Sequence, residues 1–310
     1  MESASFGRRA AGFGLLAIAL GACHTGDVAG NATRNLFGGR GGKAADVVAA
    51  GVTGFVDLVH QMNTQFSPEQ EHYLGRGVAA NFIAQYGLDP DEGRQEYVRK
   101  IGQGLVTLAP RIRSTYGGYH FAVLNSPTVN GMSGPGGYVF VTRGALDAAK
   151  SEDEVAGLLA HEIAHVSLKH GEAVVRKSGN FQAGIGALGR VVGAAAGGGQ
   201  FEQRMYDLFS QTASGFARDL ASQGYGSDLE FKADAEGTYI LYEANYDAAS
   251  ISHVLANLPA HPAKSWTAHP GNEERIARLS SLVAQYGGRS DPAGLVARAA
   301  RFAQPPAPKQ

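Results

Sequence analysis

Ser151-Glu152-Asp153-Glu154-Val155-Ala156-Gly157-Leu158-Leu159-Ala160-His161-Glu162-Ile163-Ala164-His165-Val166-Ser167-Leu168-Lys169-His170-Gly171 is the stretch that decides how this chain is read. Ser151 with Glu154 three residues on has the form of a capping box, and three early carboxylates face the positive end of a helix dipole. A helix is therefore expected to begin at Glu152. Its apolar run continues without proline to Lys169 and His170, residues that suit a C-terminal turn, with Gly171 as the stop. Within it, His161 and His165 lie at i and i+4 and project from one face. Two imidazoles one turn apart can both reach one tetrahedral Zn²⁺, and Glu162 then stands beside the water to be activated, as a candidate general base. Burial sharpens this reading, because two histidines and a glutamate among apolar neighbours are costly to place without a partner.

A third ligand is needed. On a continuous helix, His170 lies nine residues past His161, about 180° around the axis, and points away from the metal. A more distant carboxylate is the other common solution. Glu230-Phe231-Lys232-Ala233-Asp234 offers two acids at i and i+4 on a second expected helix. One can bind zinc while the other hydrogen-bonds a ligand imidazole.

With these residues in hand, His161-Glu162-x-x-His165 and Glu230-x-x-Ala233-Asp234 together resemble the gluzincin metallopeptidase family of HtpX and the CAAX prenyl endopeptidase, in its bacterial outer-membrane lipoprotein branch. Val129-Asn130-Gly131-Met132 with Pro135 to Gly144 is similar to that family's segment before the zinc helix, where an edge strand borders the cleft. Thr267-Ala268-His269-Pro270 with Glu274-Arg275-Ile276 resembles its late His-Pro segment. The resemblance implies an α+β, predominantly helical, zincin-like fold with a small sheet. It implies His161, His165 and Glu230 as ligands of one Zn²⁺, Glu162 as catalytic base, and Asp234 as the orienter of a ligand histidine. It also places His269 near the metal, for catalysis or self-inhibition, and Tyr138, Val139 and Phe140 on the substrate-facing edge strand. The implied activity is endoproteolysis of unfolded or misassembled proteins. The alternative is a catalytically quiet lipoprotein acting as an assembly factor or chaperone for the outer membrane.

The N-terminus bears on location. Arg8 and Arg9 precede an apolar run from Ala10 to Ala22, too short for a comfortable membrane span, and this reads as a signal peptide. Leu20-Gly21-Ala22-Cys23 looks like a bacterial lipobox, which implies lipidation of Cys23, the single cysteine of the chain, and a membrane anchor there. His24 follows where aspartate typically retains lipoproteins in the inner membrane, so the periplasmic face of the outer membrane is expected. Envelope assembly partners are consistent with that address. The formal net charge of −1 gives no nucleic-acid footprint.

The expected organisation is a signal peptide over 1–22, a flexible tether over 23–43, a metallopeptidase domain over 44–288, and a C-terminal helix and disordered tail over 289–310. Amphipathic helices are expected near Ala44 to Asn63, Pro68 to Tyr86 and Glu92 to Leu108, and a strand over Tyr119 to Leu124. Residues 184–199 are almost entirely Gly, Ala and small aliphatics. Their place between the two zinc-bearing helices would let them act as a lid.

Overall fold

A computed structural model describes residues 66–177, 211, 213–220, 225–257, 272–286 and 292–303. The signal peptide, Cys23, the tether, the helix expected from Ala44, the Gly/Ala-rich segment, His269 and the tail lie outside the described residues.

The helices are α1 (Pro68–Tyr86), α2 (Glu92–Leu108), α3 (Arg143–Ala148), α4 (Glu152–Ser167), α5 (His170–Lys177), α6 (Ser227–Glu243), α7 (Ser250–Asn257), α8 (Asn272–Tyr286) and α9 (Pro292–Ala303). The strands are β1 (His120–Leu124), β2 (Gly131–Gly134) and β3 (Tyr138–Thr142). The fold is α+β and mostly helical, as expected. No described helix is long and apolar enough to cross a membrane.

Local chemistry explains the starts of the helices. Ser67 caps α1 in a full capping box with Gln70, and Pro68 follows at the first helical position. Ser151 caps α4 by accepting from the Glu154 N–H. The three acids of that first turn also anchor other parts of the chain. Glu152 accepts from Tyr97, Tyr246 and Arg301, and Asp153 from the Asp247 N–H and Arg298. Glu154 accepts from the Lys150 N–H and Asn257. Helices α7 and α9 are thereby tied to the root of α4.

The sheet order is β1-β3-β2, with β1 parallel and β2 antiparallel to β3. Tyr138, Val139 and Phe140 thus lie on the central strand, corrected from the expected edge: both sides of β3 are already hydrogen-bonded, so it cannot accept a further strand. Among the described residues, the edge strand beside α4 is β2. The uninterrupted apolar run of β3 reflects its position between two cores. Val139 and Val141 pack with α2, α4 and α6 residues such as Ile101, Leu159, Ile163 and Ile240. Phe140 faces the other way, against Phe82 of α1 and the helical segment at 213–220 that carries Phe216 and Leu220.

Helix α4 lies at the centre, and α6 crosses it closely at the histidines. Gly237 allows this approach: a Cβ there would stand 3.2 Å from the His161 backbone nitrogen and 2.8 Å from Ile251 Cδ1. Glu230, Ala233, Asp234, Gly237 and Leu241 form the buried stripe of α6. Its two acids therefore face α4, not solvent.

Candidate metal centre

His161 and His165 are buried on α4, and Glu230 is fully buried on α6. His161 Nε2 lies 3.1 Å from His165 Nε2 and 3.2 Å from Glu230 Oε2, and His165 Nε2 lies 3.4 Å from Glu230 Oε1. These three residues are the one group of three or more His, Cys, Asp or Glu side chains among the described residues whose donor atoms converge tightly enough for an ion, within 4.8 Å of one another.

The donor set fits zinc. Bonds of about 2.0–2.2 Å in a tetrahedron put neighbouring ligand atoms roughly 3.3 Å apart, close to the separations found. The electrostatics agree. Burial alone would lower the His161 pKa, but hydrogen bonds to Asp234 and Glu230 outweigh it and hold it at about 10. The pocket favours positive charge.

Behind these atoms stand groups that fix the rings. His161 Nδ1 is 3.0 Å from Asp234 Oδ1, so its proton points to the carboxylate and Nε2 is left to face the cluster. Asp234 is in turn gripped by Arg275 of α8, with Nε 2.8 Å from Oδ2 and Nη2 2.6 Å from Oδ1. Burial would raise the Asp234 carboxyl, but Arg275 and His161 bring it down to about 2. The guanidinium is itself buried.

The C-terminal end of α4 departs from expectation. The helix stops at Ser167, Lys169 takes a left-handed backbone with φ +58°, and His170 opens α5, with Gly171 inside it. The turn at Lys169 swings His170 back, so the 180° rotation expected of a continuous helix does not apply. His170 Nδ1 lies 2.9 Å from His165 Nδ1. It touches the far side of a cluster histidine and does not join the cluster. Burial, and then the nearby His165, lower its pKa to about 3, so it is neutral at ordinary pH. The consistent assignment is His165 Nδ1–H donating to His170 Nδ1. Removing that acceptor with His170→Phe is expected to weaken zinc binding about 10- to 100-fold, read by competition with a chromophoric chelator. An unchanged dissociation constant would rule out an orienting role.

Glu162 lies at the foot of the edge strand. Ser133 Oγ of β2 donates to Glu162 Oε2 at 2.8 Å. A Cβ at Gly131 would stand 2.6 Å from Glu162 Oε1, so the glycine makes room for the carboxylate. Tyr225, just before α6, stacks its ring on His165 with centroids 3.8 Å apart and donates its hydroxyl to the Ser133 carbonyl at 2.8 Å. Burial pushes its phenol pKa up, so it stays protonated.

The structure therefore brings together His161, Glu162, His165, Glu230 and Asp234. Tyr138, Val139 and Phe140 lie on the strand behind the edge. Sequence reasoning assigned no role to Arg275, Ser133 or Tyr225 and took His170 to point away. The available signal for Arg275 was its place four residues before Leu279, on the same face of α8 as that buried leucine.

Two helices crossing at a buried His-His-Glu cluster, with a glutamate next to one histidine in sequence, are the arrangement used by single-metal hydrolase sites. The chain belongs to peptidase family M48, whose sequence profile matches residues 92–283. It is 24% identical over 229 residues to the beta-barrel assembly-enhancing protease of Yersinia pestis, covering 71% of this chain and 45% of that protein. Against the beta-barrel assembly-enhancing protease of Escherichia coli (strain K12) it is 23% identical over 247 residues, 76% of this chain and 48% of that one. With the mitochondrial metalloendopeptidase OMA1 of Schizosaccharomyces pombe it shares 28% identity over 167 residues, 52% of this chain and 45% of that one. The chain spans about half the length of these relatives.

Proposed function

We propose that this protein is a zinc-dependent endopeptidase of the bacterial cell envelope that cleaves unfolded or misassembled proteins. The observation that carries the proposal is the convergence of His161 Nε2, His165 Nε2 and a Glu230 carboxylate in one buried pocket, with Glu162 on the same helix. Family membership supports peptide hydrolysis as the reaction.

His161, His165 and Glu230 hold the ion, and Asp234 and His170 orient the two imidazoles. Zinc, when bound, polarises the scissile carbonyl and makes water nucleophilic near neutral pH. Glu162, steadied by Ser133, takes the proton of the attacking water and passes it to the leaving amine nitrogen. An extended substrate pairs with the edge of β2, where main-chain bonds bind peptides with modest side-chain selectivity. His269 is assigned by family resemblance to the metal's neighbourhood, to stabilise the developing oxyanion or to close the resting site.

The lipobox-like Leu20 to Cys23 supports lipid anchoring at Cys23 on the periplasmic face of the outer membrane. Relatives named as beta-barrel assembly-enhancing proteases support substrates or partners in outer-membrane protein assembly. The presence of Glu162, with a dedicated serine donor, favours an active enzyme over a quiet assembly factor.

Digestion of casein tests the reading. The zinc-loaded chain is expected to cleave it, to lose more than about 99% of the rate in 1,10-phenanthroline, as loss of a factor of 10² or more implies for a catalytic group, and to recover on adding zinc. Cleavage that persists in chelator would remove the metal from the mechanism.

A further inference from the structure

The edge of β2 is where the proposed function places the substrate main chain, and one residue already occupies it. In an antiparallel pair, opposed residues alternate between those that bond to each other and those whose backbone groups point outward. The Thr142 N–H donates to the Asn130 carbonyl at 3.0 Å, which makes 130 opposite 142 a bonded pair. With Gly131 opposite Val141 and Ser133 opposite Val139, the backbone groups of Gly131 and Ser133 point outward from the sheet. The Ser133 carbonyl is therefore an acceptor that an added strand must use. In this structure it accepts from the Tyr225 hydroxyl at 2.8 Å.

The same side chain spans the groove. Its hydroxyl is also 3.3 Å from Ser133 Oγ, the group that donates to Glu162, while its ring stacks on His165. Ser133 is 0% exposed and Tyr225 8%. A peptide cannot reach the Ser133 carbonyl while Tyr225 is in place. The residue that joins Tyr225 to α6 is Gly226, with φ +84°, open space where a Cβ would stand, and no side-chain cap on the helix. This junction leaves the tyrosine free of the steric limits that a side chain would impose on the pivot.

We infer that Tyr225 is a specificity residue that gates the substrate strand site, its hydroxyl competing with the substrate N–H for the Ser133 carbonyl. Binding then selects for extended chains long enough to make further main-chain bonds, because a short peptide gains too little to displace the phenol. The inference rests on the proposed peptide-binding role of β2.

Tyr225→Phe keeps the stacked ring and removes only the competing hydroxyl. One hydrogen bond contributes about two- to tenfold in an equilibrium constant. In the zinc-loaded full chain, KM for casein is expected to fall by about that factor, with kcat within about twofold of the parent. A kcat lowered tenfold or more would instead make the phenol a proton donor in the reaction, and an unchanged or raised KM would likewise overturn the gate. A second arm does not depend on turnover. Fluorescein-labelled casein is titrated by anisotropy against zinc-loaded Glu162→Gln and against the same chain with Tyr225→Phe added. Tighter binding by the double variant supports the gate even if the parent cleaves nothing, and equal or weaker binding overturns it.

Discussion

Glu162→Gln is expected to lower the rate of casein cleavage by about 10²- to 10⁴-fold or more, the range for a general acid-base group, while zinc stays bound. The substitution is nearly isosteric. Glutamine still offers an oxygen to Ser133 Oγ, which donates to Glu162 Oε2 at 2.8 Å, so the packing under the edge strand is kept. What is lost is the ability to accept a proton from water. The metal-binding atoms belong to His161, His165 and Glu230, none of which is altered. Initial rates beside zinc content by atomic absorption separate the two roles. A variant retaining a tenth or more of the parent rate would remove Glu162 as the base, and loss of zinc would make it structural.

Arg275→Ala carries the largest expected effect on stability. Arg275 is 2% exposed and grips both oxygens of Asp234, which is itself 2% exposed. Truncation leaves a buried carboxylate with one imidazole partner and without its guanidinium. Breaking a buried pair in this way costs about 3–5 kcal/mol, which for a domain of this size lowers Tm by roughly 6–20 °C. Arg275→Lys restores the charge without the two-pronged geometry and is expected to fall between the two. Thermal melts in excess chelator hold the metal contribution constant across the three proteins. A loss under about 1 kcal/mol for the alanine variant would mean that Asp234 finds other compensation.

Much of this site was legible in the chain because its signals are local. Ser67-Pro68 and Ser151 mark helix starts by the chemistry of their own side chains, and the structure places those starts at Pro68 and Glu152. Spacing of four put His161 beside His165 and Glu230 beside Asp234, since rotation per residue is a property of the helix alone. The end of α4 was misread for the complementary reason. No glycine or asparagine stands at Lys169 to mark the left-handed turn, whose φ is +58°; the Lys169 ammonium there pairs with Glu172, three residues on, at 3.1 Å and approaches Glu71 of α1 at 4.0 Å. The apolar run of β3 was likewise compatible with an edge or a centre, because alternation records faces and not neighbours.

The sequence by itself determined the two histidines, the two candidate acids, the helices that carry them and the spacing that points each pair one way, because these follow from backbone periodicity and end-capping within a few residues. Only the tertiary structure decided that Glu230 faces both histidines while Asp234 backs one of them, that His170 returns to touch the other, and that β2 rather than β3 forms the edge to which the Tyr225 hydroxyl bonds. These are contacts between segments far apart in the chain. Their geometry is set by how helices and sheet pack together, at Gly237 and under Ser133.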